Sequence, residues 1–246
     1  MPLATRNITS TKKNIKPGHG EISVIIPAAG MGYRMKSYGP KALVNLYEDV
    51  SLIKRQVELI WSVYPKADIF IVVGFEAEKI RNELEGYPVR FIFNPIHETT
   101  NVLYSISLAI QATISSEIII VYGDLIFNEV AIRNLRGVSR VVVDNKGLMK
   151  KEEVGVIIED GEIQNFSFGL DKKWAQITYL TGKELDIFRE VCLKSETSQW
   201  LGYEALNYVL EKGGKIESVN PRSLKILEID FAKDLEKIPK NKLTFG

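Results

Sequence analysis

The sequence predicts an α/β protein with a Rossmann-like, mostly parallel mixed sheet, helices on both faces of the sheet and a smaller second lobe. In the first half, short aliphatic runs alternate with segments whose apolar residues recur at helical spacing. These runs are apolar along their whole length, as parallel strands buried on both faces are. After residue 124, short strands follow one another without helices between them, which indicates antiparallel or mixed pairing.

The elements follow in a regular order from residue 22. The strands of the first half are predicted at residues 23–28, 68–74, 89–94 and 117–124. The helices between them are predicted at 51–64, 76–86 and 101–113. The second half is predicted to contain strands at 139–147, 153–169, 174–182, 215–220 and 224–230 and helices at 182–194, 200–213 and 231–238. The Asp160-Gly161 pair divides the 153–169 segment into two strands, because it suits a two-residue hairpin turn.

Composition and charge exclude several classes of protein. The 246 residues are 45% hydrophobic and 26% charged, which is ordinary for a globular domain. Basic residues number 32 and acidic residues 31, so nucleic acid and anionic membranes are not expected partners. No run reaches the ~18 apolar residues of a spanning helix, and the N-terminus lacks the apolar region of a signal peptide. We expect a cytoplasmic protein with a flexible arm at 1–20 and one domain at 21–246, with halves at 21–129 and 130–246.

The segment 24–43, VIIPAAGMGYRMKSYGPKAL, runs from a strand into two glycines and then two cations. Glycine lets the backbone turn sharply and approach a ligand, and phosphates commonly bind such loops. The Walker pattern is missing, and the dinucleotide fingerprint needs a small residue where Met35 stands. A plain tight turn at Gly30 and Gly32 is the alternative. Arg34 and Lys41 favour phosphate binding. The planar guanidinium of Arg34 can donate to two phosphate oxygens at once, and the ammonium group of Lys41 is a compact positive charge.

This loop, PAAGMGYRM followed by GPKAL, resembles the signature loop of the nucleotidyltransferases that join a nucleoside triphosphate to a phosphorylated small molecule. The resemblance implies the nucleotide-diphospho-sugar transferase fold, which is GT-A-like. It also implies that Arg34 and Lys41 hold the triphosphate and act in catalysis with Asp124. The nucleotide contacts that it implies in the loop are Ala28, Ala29, Gly30, Met31, Gly32, Arg34 and Lys41.

Two aspartates directly follow predicted strands, at Asp124 and Asp230. Active sites of parallel sheets lie at the carboxyl ends of the strands, and Mg²⁺ prefers a few carboxylates together with phosphate oxygens. We therefore predict Mg²⁺ as the cofactor and both aspartates as its ligands. Asp230 has an alternative role as the N-cap of the helix predicted from residue 231. Glu228 shares its strand face and either assists or is solvated.

The middle of the chain resembles the choline-phosphate cytidylyltransferase type. The segment 89–109, VRFIFNPIHETTNVLYSISLA, has a strand ending in Phe-Asn, a polar loop, and an Asn that begins a helix with a Tyr-Ser pair. The resemblance implies CTP as the favoured triphosphate and nucleotide contacts at Asn94, Asn101 and Ser105. Capping of the helix alone is the alternative for Asn101.

The second partner is expected to be a small phosphorylated acceptor whose identity stays open. Phe168 stands where many sugar-phosphate enzymes carry a lysine, which argues mildly against a sugar 1-phosphate. The segment 171–185 resembles the part of cytidylyltransferases that closes over the acceptor. The acceptor contacts that we expect are Trp174, Tyr179, Lys173 and Tyr203. Core packing is the alternative for each aromatic residue.

The sequence contains no readable Ser-His-Asp or Cys-His constellation. We interpret Cys192 as a core residue and His97 as a loop residue. A phosphomonoester has a second pKa near ~6, so it can attack as a dianion without a general base. The alternatives kept are a sugar-1-phosphate nucleotidyltransferase, a nucleotide-sugar glycosyltransferase, a non-catalytic nucleotide-binding module and, more distantly, a Rossmann dehydrogenase. The oligomeric state is open, with a homodimer among the options.

Overall fold

The computed structural model describes residues 22–31, 39–47, 50–146 and 151–230, together with Asp234 and Glu236. Its strands are β1 (Ser23–Ala28), β2 (Asn45–Tyr47), β3 (Val50–Ser51), β4 (Asp68–Val73), β5 (Arg90–Phe93), β6 (Glu117–Val121), β7 (Leu125–Phe127), β8 (Arg140–Asp144), β9 (Val154–Glu159), β10 (Glu162–Phe168), β11 (Lys172–Thr181), β12 (Glu217–Val219) and β13 (Ile226–Glu228). Its helices are α1 (Leu52–Val63), α2 (Ala77–Glu83), α3 (Val102–Ala112), α4 (Val130–Arg133), α5 (Gly182–Cys192) and α6 (Gly202–Glu211). Short 3₁₀ turns cover Lys41–Leu43 and Ser195–Gln199.

Within these residues, nine strands form one sheet in the order β5-β4-β1-β6-β11-β8-β12-β10-β9. The strands β5, β4, β1 and β6 are parallel, and Ile25 at the centre lies opposite Phe70 on one side and Ile120 on the other. The direction reverses at β11, which pairs antiparallel with β6, β8 and β9. The predicted fold class, a parallel first half followed by mixed strands, is confirmed.

Helices pack against both faces of the sheet. On one face, Ile25 and Ile120 pack in a cluster with apolar residues of α3, α5 and α6. On the other face, Val24, Ile26 and Ile119 pack in a second cluster with residues of α1, α2 and α4. Burial on both sides explains why these strands are continuously apolar. Among the described residues, no helix has the length and apolarity that crossing a bilayer requires.

The Asp160-Gly161 turn between β9 and β10 is confirmed. Both residues have positive φ angles, +49° and +85°, as the tight hairpin turn favoured by Asp-Gly requires. Cys192 is buried, and burial raises the pKa of its thiol, so its interpretation as a core residue is also confirmed. The helix predicted at 231–238 lies outside the described residues except for Asp234 and Glu236.

A two-stranded ribbon that the sequence did not predict lies beside the main sheet. It pairs β7 with β13 antiparallel, and Glu228 lies opposite Leu125. The backbone N–H of Ile229 also donates to the carbonyl oxygen of Asp124 at 2.9 Å. A small core cluster of Val44, Leu52, Ile126 and Ile229 packs beneath the ribbon. This pairing brings the two segments that end in Asp124 and Asp230 together.

Helix α1 anchors the loop between β6 and β7 through a buried glutamine. The side chain of Gln56 is fully buried, and its amide donates to the carbonyl oxygens of Tyr122 at 3.0 Å and Leu125 at 2.7 Å. These two residues flank Asp124. A polar side chain on the inner face of an amphipathic helix therefore fixes the loop that carries this aspartate.

We predict that Gln56→Met lowers the free energy of unfolding by about 1–3 kcal/mol, because the carbonyl oxygens of Tyr122 and Leu125 lose the side-chain amide that donates to them, while the side-chain volume is nearly kept. Urea denaturation measures the change. Gln164→Met, at an exposed position of β10, is the matched control and is expected to stay within about 0.5 kcal/mol of the parent. Equal stabilities of the two variants would contradict the anchoring role.

Candidate functional site

A cleft of about 440 Å³ opens at the carboxyl ends of β1 and β6. Parallel sheets place their ligand sites at this edge. The residues that line it come from seven segments of the chain: Pro27, Ala28, Ala29, Gly30, Lys41, Ala42, His97, Thr100, Asn101, Val102, Ser105, Tyr122, Gly123, Asp124, Gln176, Leu201, Glu228 and Asp230.

The loop after β1 forms one wall of the cleft. Ala28, Ala29 and Gly30, which were predicted to contact the nucleotide, line it. Met31 is described but is not one of the lining residues. The predicted phosphate contacts Gly32 and Arg34 lie outside the described residues.

Three carboxylates meet at the floor of the cleft. Oxygens of Asp124, Glu228 and Asp230 all lie within 4.8 Å of one another. The chain reaches this position by a close approach at Gly123, whose N–H donates to the carbonyl oxygen of Pro27 at 3.3 Å. A Cβ at Gly123 would lie 2.8 Å from that oxygen, so a side chain here would displace the loop. We refer to these three residues as the carboxylate cluster.

Lys41 neutralises part of the carboxylate cluster. Its Nζ lies 2.7 Å from Oδ1 of Asp230 and 3.1 Å from Oδ2 of Asp124. Burial opposes the charged ammonium, but the two aspartates outweigh burial and raise the pKa of Lys41 above its usual value. The 3₁₀ turn at Lys41–Leu43 therefore places a permanent cation between residues from two distant strands.

A second lysine holds the third carboxylate. Nζ of Lys173 lies 2.6 Å from Oε1 of Glu153 and 3.2 Å from Oε2 of Glu228. Burial raises the pKa of Glu228, the neighbouring Asp124 raises it further, and Lys173 opposes both effects. Lys173, which was predicted to meet the acceptor, is thus engaged beside the carboxylate cluster.

The polar loop between β5 and α3, together with the start of α3, forms another wall of the cleft. Asn101 caps α3 by accepting from the N–H of Val102 at 3.1 Å, and it also lines the cleft together with Ser105. Asn94 is only 1% exposed and is not a lining residue. Its amide donates to Ser105 at 3.0 Å, and its Oδ1 accepts from the N–H of Ile96 at 3.0 Å. Asn94 therefore shapes this loop from beneath.

The predicted acceptor aromatics do not form a single pocket. Trp174 is 4% exposed, and its ring packs edge-on against Tyr122 and Phe166, with centroids 5.7 Å away in each case. It belongs to the core beneath the cleft. The ring of Tyr203 is half-buried and packs edge-on against Phe168 at 5.5 Å.

Tyr179 lies at the opposite end of the sheet. It is 1% exposed, and its hydroxyl donates to Glu117, the first residue of β6, at 2.7 Å. Because the cleft lies at the other end of β6, the structure does not bring this residue to the acceptor. The alternative of core packing is the correct one for Tyr179.

Sequence reasoning missed several of the residues that line the cleft, among them His97 and Gln176. His97 was interpreted only as a loop residue, yet it lines the cleft, and its Nδ1 lies 3.3 Å from the carbonyl oxygen of Asn94. Gln176 lines the cleft from β11 with a left-handed backbone, at φ +57°. His97 lies in the segment 89–109 and Gln176 in the segment 171–185, but neither was assigned a role in the site. The signal for Glu228 was present, since it lies two residues before Asp230 on the same strand face.

The carboxylate cluster fits a divalent cation. Oδ1 of Asp124 is buried and has no hydrogen-bond partner among the described residues. A buried acceptor oxygen without a donor is costly unless a cation or a ligand meets it. Three carboxylates at this spacing offer the hard oxygen donors that Mg²⁺ prefers. Asp124, Glu228 and Asp230 are therefore the residues that would hold such an ion.

Comparison with known families agrees with this geometry. The model of the MobA-like NTP transferase domain matches residues 24–155, which is more than half of the chain and includes the loop after β1, Lys41 and Asp124. The chain belongs to the MobA-like NTP transferase family. The membership predicted from the loop motif is therefore confirmed.

Curated relatives of this chain include the bifunctional protein GlmU of Buchnera aphidicola subsp. Acyrthosiphon pisum. It is 25% identical over 217 residues, covering 82% of this chain and 46% of the relative. GlmU of a Synechococcus strain is 33% identical over 105 residues, covering 43% of this chain and 16% of the relative. The chain spans less than half the length of these relatives.

Solved structures with the same fold include two cytidylyltransferases. The CTP:phosphocholine cytidylyltransferase of Streptococcus pneumoniae is 21% identical with a TM-score of 0.75, covering 88% of this chain and 96% of that one. The inositol-1-phosphate CTP transferase of T. maritima is 18% identical with a TM-score of 0.73, and the match covers 93% of this chain and 99% of that one. The nucleoside-diphosphate-sugar pyrophosphorylase of Vibrio cholerae is 15% identical with a TM-score of 0.67, covering 89% and 100%. At these identities the likeness shows the fold.

We predict that Lys41→Met increases the affinity of the nucleotide-free protein for Mn²⁺ by about tenfold or more. The substitution removes the cation that competes for Asp124 and Asp230, and a hydrogen bond to a charged group contributes about 1.5–3 kcal/mol. Calorimetric titration with Mn²⁺ measures the affinity, and Lys66→Met, at an exposed position, is the matched control. Weaker Mn²⁺ binding by Lys41→Met than by the parent would contradict this competition.

Proposed function

We propose that the protein is a nucleotidyltransferase that transfers a nucleoside monophosphate, CMP from CTP, to a small phosphorylated acceptor and releases pyrophosphate. The observation that carries the proposal is that Lys41 and the carboxylate cluster line the same cleft as the backbone of Ala28, Ala29 and Gly30. A triphosphate requires a backbone cradle, a cation for its charge and carboxylates for its divalent metal. The cleft combines all three.

The proposed reaction is a displacement at the α-phosphorus. An oxygen of the acceptor phosphate forms a new bond to the α-phosphorus, and the bond between the α-phosphorus and the oxygen leading to the β-phosphorus breaks. Pyrophosphate leaves with that electron pair. The acceptor is mostly a dianion at neutral pH, since its second pKa is near ~6, so no protein base has to remove a proton. This agrees with a cleft that contains ammonium and carboxylate groups but no nucleophile paired with a base among its lining residues.

The roles of the chain's own residues follow from charge. Lys41 would break its contacts with Asp124 and Asp230 and bind the phosphates instead. Arg34 would contact the triphosphate from the loop after β1. Asp124, Glu228 and Asp230 would hold Mg²⁺, which when bound neutralises the charge that develops on the phosphate oxygens. Alignment and charge neutralisation then account for catalysis.

CTP is our choice of triphosphate for two reasons. The segment 89–109 resembles cytidylyltransferases, and two proteins that share the fold at high TM-scores are named for CTP. A sugar 1-phosphate is the second candidate acceptor, because the fold is shared with a nucleoside-diphosphate-sugar pyrophosphorylase. We place the acceptor beside Lys173 and next to Leu201, a cleft residue two positions before Tyr203.

We predict that Lys41→Ala and Asp124→Asn each lower the rate of pyrophosphate release by about 10²-fold or more, because each removes a charged group that faces the reacting phosphates. A coupled pyrophosphate assay measures the rate with CTP, Mg²⁺ and a panel of phosphorylated alcohols and sugars. Lys66→Ala and Asp186→Asn change the same residue types at exposed positions and are expected to keep full activity. Near-normal turnover in either cleft variant would remove that residue from the mechanism.

We also predict that CTP with Mg²⁺ raises the melting temperature more than UTP, ATP, GTP or dTTP does. A ligand at ~100 times its dissociation constant adds ~2.7 kcal/mol to the free energy of unfolding, or about 5–10 °C for a domain of this size. Thermal unfolding with each triphosphate measures the shift. A larger shift with another triphosphate would show that the protein prefers that base to cytosine. No shift with any of them would contradict the proposal that the cleft binds a nucleoside triphosphate.

A further inference from the structure

Glu153 binds Lys173, the lysine that also contacts Glu228 of the carboxylate cluster. Oε1 of Glu153 lies 2.6 Å from Nζ of Lys173, whereas Oε2 of Glu228 lies 3.2 Å from the same nitrogen. The side chains of Glu153, Lys173 and Glu228 are only 12%, 16% and 15% exposed, so solvent and salt screen their charges less than those of surface ion pairs. Lys173 is thus shared between a residue outside the carboxylate cluster and a member of it, and it lies closer to the former.

The pairing of β9 with β11 brings Glu153 to Lys173. Lys173 lies opposite Gly155, and Glu153 stands two residues before Gly155, directly ahead of β9. Residues two apart along an extended chain share a face, so Glu153 is a diagonal neighbour of Lys173. A Cβ at Gly155 would lie 2.8 Å from the carbonyl carbon of Leu170, which shows how closely the start of β9 approaches the turn before β11. The contact between Glu153 and Lys173 is therefore set by the register of two strands.

The charges of these groups match the charge of a divalent cation. Lys41 bridges the two aspartates of the carboxylate cluster, and Lys173 bridges Glu153 and Glu228. Burial opposes the ammonium charge of Lys173, but Glu228 and Glu153 outweigh burial and raise its pKa. With the four carboxylates ionised, the two ammonium groups leave two negative charges. Without Glu153, one negative charge would remain.

We propose that Glu153 is a positioning residue that draws Lys173 away from Glu228 and so keeps the charge of Glu228 available to the divalent cation, an inference that rests on the proposed function. Glu153 acts through Lys173 and not as a ligand of the ion. An ammonium group bound closely by one carboxylate competes less with a metal ion for the other carboxylate. Partners of metal ligands commonly contribute about 10–100-fold to affinity or activity.

Three variants and one control test the proposal. Glu153→Gln removes one negative charge and nearly keeps the shape of the side chain, and Lys173→Met removes the ammonium group. The double variant Glu153→Gln with Lys173→Met removes both charges, so it leaves the same two negative charges as the parent. Glu152→Gln, at the exposed neighbouring position, is the matched control. Calorimetric Mn²⁺ titration of the nucleotide-free protein and thermal unfolding without metal are measured for all of them.

We expect Glu153→Gln to bind Mn²⁺ about tenfold more weakly than the parent and Lys173→Met to bind it about tenfold more tightly. We expect the double variant to lie within about threefold of the parent, because the two charge effects cancel, and Glu152→Gln to keep the parental affinity. The Mg²⁺ concentration for half-maximal pyrophosphate release should rise about tenfold in Glu153→Gln. Recovery in the double variant is the signature of action through Lys173, since a packing defect at Glu153 would not be reversed by a second substitution.

Parental Mn²⁺ affinity in Glu153→Gln would overturn the proposal, and so would a double variant that binds Mn²⁺ as weakly as Glu153→Gln, or a parent that binds no Mn²⁺. If thermal unfolding shows that Glu153→Gln does not fold, the double variant is compared with Lys173→Met. The proposal then requires about tenfold weaker binding by the double variant, and equal affinities would overturn it.

Failure of the proposed function is a separate result. In that case the parent would release no pyrophosphate with any acceptor. The Mn²⁺ titrations need neither nucleotide nor acceptor, so they would still show whether Glu153 offsets the charge of Lys173.

Discussion

Three carboxylates lie close together at the floor of the cleft, and the rest of the site depends on how their charge is balanced. Asp124, Glu228 and Asp230 have oxygens within 4.8 Å of one another, where mutual repulsion in a partly buried setting is strong. Lys41 compensates two of them and Lys173 the third. Removing one partner of such a group leaves an uncompensated charge, which is costly. The elements that carry these side chains therefore depend on one another for the balance of charge in the site.

The fold supplies these charges from separate parts of the chain. Asp124 comes from the loop after β6, which the buried side chain of Gln56 in α1 holds by two hydrogen bonds. Glu228 and Asp230 come from the end of β13, which reaches the site by pairing with β7. Lys173 comes from β11, the strand at which the parallel half of the sheet meets the mixed half. The cleft thus forms where the parallel half of the sheet meets the mixed half, and such a junction is a common position for a ligand site.

The local patterns in the sequence were strong enough to predict most of the architecture. Alternation of apolar strands with amphipathic helices predicted the parallel half, and the Asp160-Gly161 pair predicted the hairpin because few other dipeptides adopt positive φ at both positions. The loop at 24–43 predicted the family through its resemblance to a known signature loop. Aromatic residues were harder to interpret. Trp174 and Tyr179 lie in one strand at the edge of an acceptor-like segment, and burial alone decided that both are core residues.

The sequence by itself determined the fold class, the family and the residue types needed for a phosphate site, since these depend on periodicity and on short motifs within one segment. The tertiary structure decided which groups meet. The contact of Lys41 with Asp230 joins residues 189 positions apart, and it depends on the β7 and β13 pairing, for which no local pattern exists. The left-handed backbone of Gln176 also depends on tertiary pairing, because it lies at a bulge in β11 that arises from how this strand matches β6 and β8. Long-range register is a property of several strands at once, so it becomes visible only when the chain is folded.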